Sequence, residues 1–177
     1  MSCESPHTVH TIGHSIRTID TFIDLLSAHK IEAVIDVRRW PASRRHPQFQ
    51  RDALAQALKT QRIDYIWRGD LGGFRQPAPD SPNTAWRVGA FRAYGDFMLT
   101  TEFTTIMNEL ENIAANQRIA IMCAEAVPWR CHRQLIADAF LVRHWAVLHI
   151  MDNGCREHKL PAFAQPVGKR IFYRGLL

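Results

Sequence analysis

Residues 118–136 read RIAIMCAEAVPWRCHRQLI, and the fold turns on how this stretch is read. Its first half is an apolar run with the length of a buried strand. From Cys131 onward, Leu135, Ile136, Ala139 and Phe140 recur with the spacing of one helix face. The polar turn between them crowds Cys123, Glu125, Arg130, Cys131, His132 and Arg133 into eleven residues. A plain strand-to-helix connection needs only a capping residue and a glycine or two. The turn is therefore the first candidate for chemistry.

The same alternation extends in both directions. Apolar or alternating runs at 9–13, 31–37, 63–67 and 146–151 read as four more strands. Helical spacing separates them. Thr18 is a suitable N-cap for Ile19, Phe22, Ile23 and Leu26, a helix running to about His29. Leu54, Ala57 and Leu58 mark a second helix, and Phe91, Tyr94 and Met98 a third. Phe103, Ile106, Met107 and Leu110 mark a fourth, with Thr101 as its expected cap. Strand and helix in turn imply crossover connections, so the spacing predicts an α/β fold. It would be three-layered, with an approximately five-stranded, mainly parallel sheet and helices on both faces. One domain is expected over 1–177, with its core at about 9–151 and a C-terminal extension at 152–177. Within that extension only 171–173 offers a further element. The proline-rich stretch 74–86 reads as an ordered surface loop that could serve as a lid.

The 177 residues are 46% apolar and 22% charged, enough to bury a full core. No run reaches the length of a membrane span, and the first residues lack the order of a signal peptide, so a cytoplasmic protein with no membrane partner is expected. The four cysteines, at 3, 123, 131 and 155, form no Cys-x-x-Cys pair and read as reduced thiols. The net charge is +5, and residues 38–51 alone hold five arginines and no acidic side chain. The excess of this basic protein is local, and points to an anion or a nucleic acid.

In a parallel sheet the site forms beyond the carboxyl ends of the strands. Those ends are the turns at 13–15, 36–46, 68–73, 123–133 and after Met151, and they hold nearly every unusual polar residue of the chain. Cys123 is placed where helix dipoles and arginines would lower a thiol pKa, although a small core residue could occupy the same position. The outline resembles rhodanese-like and cysteine-phosphatase loops, as does Ile35-Asp36-Val37-Arg38. It departs from them in the six residues between Cys123 and Arg130, in having no glycine, and in the anion-repelling Glu125. Glu125 and Asp36 suit either acid–base catalysis or structural pairing. Cys123, Cys131, His132 and His14 could in principle bind a metal. Adjacent helical residues diverge by about 100°, however, which disfavours it, and no cofactor is expected. A Cys123–Cys131 redox pair requires α-carbons within about 7 Å.

Gly13-His14-Ser15, Asp36-Val37-Arg38 with Pro41 and Ser43, Leu71-Gly72-Gly73, Cys123-Ala124-Glu125 and Cys131-His132-Arg133 together resemble the bacterial family named domain of unknown function 488. The resemblance spans about 11–150 and implies that these motifs converge on one site. It implies no particular reaction. The leading expectation is an anionic, phosphate-bearing ligand held by His14, Ser15, Arg38, Arg44, Gly72, Gly73, Arg130, Cys131, His132 and Arg133. Cys123, Glu125 and Asp36 are its catalytic candidates. The alternatives are a non-catalytic nucleic-acid-binding module using residues 38–51, a rhodanese- or phosphatase-like transferase or hydrolase, and a purely structural network of Glu125 with the arginines.

Overall fold

The computed structural model describes residues 7–175; Cys3, one of the expected reduced thiols, lies outside them. Strands β1 (Thr8–Gly13), β2 (Ala33–Asp36), β3 (Asp64–Trp67), β4 (Ile119–Cys123) and β5 (Ala146–Met151) are the five expected from the sequence. A short sixth, β6 (Gly154–Glu157), adds to β5 in antiparallel fashion. The order is β3-β2-β4-β1-β5-β6, and all pairs except the last are parallel. This places β4 at the centre, where both faces are covered. Its five residues are all buried, which explains their unbroken apolar run.

Successive residues supply opposite layers. Ile119, Ile121 and Cys123 face α3 (Gly89–Met98), α4 (Thr101–Asn116) and α5 (Arg133–Leu141). Ala120 and Met122 face α1 (Ile19–Ala28) and α2 (Arg51–Thr60). Thr18 caps α1 as expected, its hydroxyl accepting from the Thr21 amide. The cap of α4 is Thr100 and not Thr101, because the Thr100 hydroxyl is the one that accepts from the Phe103 amide. Pro128 starts a 3-10 turn over Pro128–Arg130, which delays α5 to Arg133 from its expected start near Cys131.

Asp96 anchors the loop after Gly73 by accepting from the Ala78 amide, the Ser81 hydroxyl and the Asn83 side chain. The extension folds as well. Strands β7 (Ala164–Val167) and β8 (Arg170–Tyr173) form a hairpin whose Ile171 and Tyr173 are buried in the α3–α5 layer. A chain of hydrogen bonds ties this segment to the sheet. The Tyr173 hydroxyl donates to Asp138 (2.7 Å), and His158 bonds the other Asp138 oxygen (2.7 Å). His149 then bonds His158 (2.9 Å), and Thr11 on β1 bonds His149 (2.7 Å). No helix among the described residues is long and apolar enough to cross a membrane.

Candidate active site

The strand β4 delivers Cys123 to the carboxyl edge of the sheet, and the neighbouring strand β1 fixes the turn that follows. His14 donates its amide to the Cys123 carbonyl and Ser15 to that of Ala124, each at 2.9 Å. The two turns meet so closely that a Cβ at Gly13 would lie 1.7 Å from the Glu125 carbonyl oxygen. Only glycine fits there. Ser15 takes the left-handed backbone, φ 51°, needed to turn away from this contact.

Cys123 is 1% exposed and Cys131 6%, with their sulfurs 2.9 Å apart and the Cys131 thiol donating. Burial pushes the Cys123 thiol up. The Cys131 donor and the Arg133 guanidinium outweigh it and bring Cys123 down to about 7. Cys131 is driven the other way, well above its ordinary value, by that same hydrogen bond and by burial. The pair thus divides into one acidic and one alkaline thiol.

Arg133 lies behind these sulfurs and is 1% exposed. It donates through Nη2 to the Glu125 and Ala126 carbonyls, while Nε and Nη1 have no hydrogen-bond partner among the described residues. Nor does it form an ion pair with a carboxylate among those residues. A buried guanidinium without a paired counter-charge is costly, and the Cys123 thiolate is a nearby group able to supply negative charge.

His132 donates through Nε2 to the Val37 carbonyl at 3.3 Å, which leaves Nδ1 as an acceptor 3.6 Å from the Cys131 sulfur. Burial lowers its pKa to about 4, so the ring is neutral near pH 7. A cavity of about 590 Å³ opens over Cys123, Cys131 and His132. Arg39, Arg130, Trp40 and Phe74 are among the residues that rim it, and Gly73, Glu125 and Phe91 also line it. Trp40 and Phe74 are 66% and 79% exposed, with ring centroids 5.1 Å apart. An adjoining cavity of about 550 Å³, lined by His14, Ser15, Ser43, Arg45 and His46, shares Arg38, Trp40, Ala124 and Glu125 with the first.

The expected residues therefore separate into those that face the two cavities and those that stand behind them. Asp36, expected as a catalytic carboxylate, is completely buried. Its oxygens accept from Arg38 Nε (2.9 Å) and Nη2 (2.6 Å) and from the Tyr65 hydroxyl (2.6 Å), so it is a strut for Arg38. Arg38 lines the cavities, but it also donates to the Phe49 carbonyl (2.8 Å) and lies 3.2 Å from His14 Nε2. Four of its five N–H groups are thereby engaged. The His14 ring is held between Arg38 and the Ser15 carbonyl, stacks on Phe49 and is lowered to about 4 by burial. Gly72 packs against Arg39, where a Cβ would come within 2.6 Å of its side chain. Arg44 is exposed on the basic loop and lines neither cavity.

Glu125 is exposed and forms no ion pair among the described residues, so the buried ion pair belongs to Asp36 and Arg38, not to Glu125. Sequence reasoning missed Phe74, Val88 and Phe91 as lining residues. Phe74 carried a signal, being an apolar residue directly after the Gly72-Gly73 turn. No group of three or more His, Cys, Asp or Glu side chains among the described residues is arranged to hold a metal ion.

A family model described as "Domain of unknown function DUF488" matches residues 18–140. The matched stretch carries Asp36, Arg38, Gly72, Gly73 and the whole turn from Cys123 to Arg133, while His14 and Ser15 precede it. No curated protein and no solved structure matches the chain.

Proposed function

The chain belongs to the DUF488 family, whose description assigns no reaction, and from the chemistry of its site we propose a thiol-dependent enzyme acting on an anionic ligand. The observation that carries this reading is the Arg133 guanidinium, buried with no carboxylate partner among the described residues and beside the acidic thiol of Cys123. A core cysteine would need no such cation, and a structural arginine at this depth would have an acidic partner. Cys123 is the nucleophile, with Arg133 stabilising its thiolate from behind. Arg39 and Arg130 bring positive charge to the rim, where guanidinium forks suit phosphate or carboxylate. Trp40, Phe74 and Phe91 suit a flat apolar portion of the same ligand. Glu125, at the shared wall of the two cavities, is the group placed to move a proton to or from a ligand.

The test is alkylation of Cys123 by iodoacetamide at neutral pH, followed by peptide mapping, with and without an aryl phosphate ester. The reading expects preferential labelling of Cys123 and protection by the ester. Labelling no faster than that of an ordinary buried thiol would remove the nucleophile. Reactivity without protection by the ester or by inorganic phosphate would remove the anionic ligand.

The exposed rings of Trp40 and Phe74 beside Arg39, with Arg44 and Arg45 exposed on the same basic loop, favour a second reading as a surface for single-stranded nucleic acid. It requires an affinity that falls steeply with salt and weakens in Arg44→Ala and Trp40→Ala. Absence of binding at low salt would exclude it.

A further inference from the structure

We propose that Cys123 and Cys131 are a redox dithiol that reduces a small hydroperoxide, with Cys131 as the resolving thiol that closes a reversible disulfide. The inference rests on the Cys123 half of the reading above and is independent of the anionic ligand. Its geometric basis is the 2.9 Å between the two sulfurs. A disulfide bond is about 2.05 Å long, so closure needs less than about 1 Å of approach. The two cysteines come from different elements, the end of β4 and the turn before α5, and both thiols line the 590 Å³ cavity. The cavity gives a small oxidant its way in, while 1% and 6% exposure closes both thiols to a disulfide carried on another protein. Cys155, exposed on β6, stands apart beside His29.

The chemistry balances with the groups present. The Cys123 thiolate attacks the peroxide; an S–O bond forms, the O–O bond breaks, sulfur loses two electrons, and the departing hydroxide or alkoxide takes a proton from solvent. Cys131 then gives up its proton to solvent in the cavity, while His132 Nδ1, 3.6 Å away with Nε2 held at Val37, orients the thiol as an acceptor. The Arg133 amide, 3.4 Å from the Cys131 sulfur, donates to the thiolate so formed. That thiolate attacks the Cys123 sulfur. The S–S bond forms, the S–O bond breaks, and the departing hydroxide takes a proton from solvent to leave as water. Two thiols and one hydroperoxide give one disulfide, one alcohol or water, and one water. A small-molecule dithiol returns the pair to its reduced form by exchange.

The experiment treats the reduced full-length protein with one equivalent of hydrogen peroxide, blocks the remaining thiols and maps the tryptic peptides, since trypsin cuts between the two cysteines at Arg130. The expected result is a Cys123–Cys131 cross-link, reversed by dithiothreitol. In Cys131→Ser the cross-link is lost and Cys123 accumulates as a dimedone-reactive sulfenic acid. A sulfinic acid on Cys123 in the unaltered protein, or cross-links only to Cys3 or Cys155, would overturn the proposal. Cys123 that alkylates readily but never cross-links removes the redox pair and leaves the nucleophile standing. Cys123 that does neither removes both.

Discussion

The sulfur of Cys131 lies 2.9 Å from that of Cys123 and faces it as a hydrogen-bond donor. One thiol is thereby made more acidic at the expense of the other. The asymmetry arises from a strand ending against a helix whose first residue is a buried arginine. This is a consequence of the order Cys131-His132-Arg133.

Cys131→Ala removes the donor and leaves Arg133 in place. A hydrogen bond to a charged acceptor is worth about 1.5 to 3 kcal/mol, so alkylation of Cys123 at neutral pH should fall by about seven- to eightyfold while the urea midpoint changes little. An unchanged rate would show that the Cys131 thiol contributes nothing to ionising Cys123.

Gly13→Ala should be among the most damaging single-atom additions in the chain. Its Cβ would be 1.7 Å from the Glu125 carbonyl oxygen, and backbone there must move. A loss of roughly 2 kcal/mol or more in urea unfolding is expected, together with slower labelling of Cys123 as the turn is displaced.

The Asp36–Arg38 pair is structural. Asp36→Asn leaves a buried guanidinium without its counter-charge and should cost about 3 to 5 kcal/mol. Tyr65→Phe removes one bond to the same carboxylate and should cost less, about 1.5 to 3 kcal/mol. Equilibrium urea unfolding of both variants checks the ranking. A near-neutral Asp36→Asn would return Asp36 to the list of catalytic candidates.

Acid should destabilise the fold well above the carboxylate range. Burial lowers His10, His14 and His132 to about 4 and His149 to about 3, against about 6.5 when unfolded. Between about pH 6.5 and 4 the unfolded chain therefore binds more protons than the folded one, and stability is lost as pH falls through that window. Asp138, raised by burial, acts in the opposite sense, but it is one group against four. The urea midpoint should drop between pH 7 and pH 5; a flat profile would contradict these shifts.

The layers of the fold, and the strand ends at which the candidate residues stand, were legible because they follow from local spacing. The run Ile119–Cys123 is apolar throughout because both of its faces are covered, and Thr18 caps α1 through its own third neighbour. Pairings were not legible. Thr100 and Thr101 are equivalent as letters, and only the direction of the Phe103 amide distinguishes them. Arg38, His14 and Asp36 stand at strand ends as expected, yet their polar atoms largely engage one another and the adjacent backbone. The chain from Tyr173 through Asp138, His158 and His149 to Thr11 joins residues as far as 138 positions apart, and no periodicity announces it.

The most direct measurement of the central claim is the rate of Cys123 alkylation as a function of pH, followed on its own peptide. The account predicts a sigmoid with its midpoint at about 7. A rate that begins to rise only in the ordinary thiol range or above it would mean a protonated core cysteine, and would contradict the account.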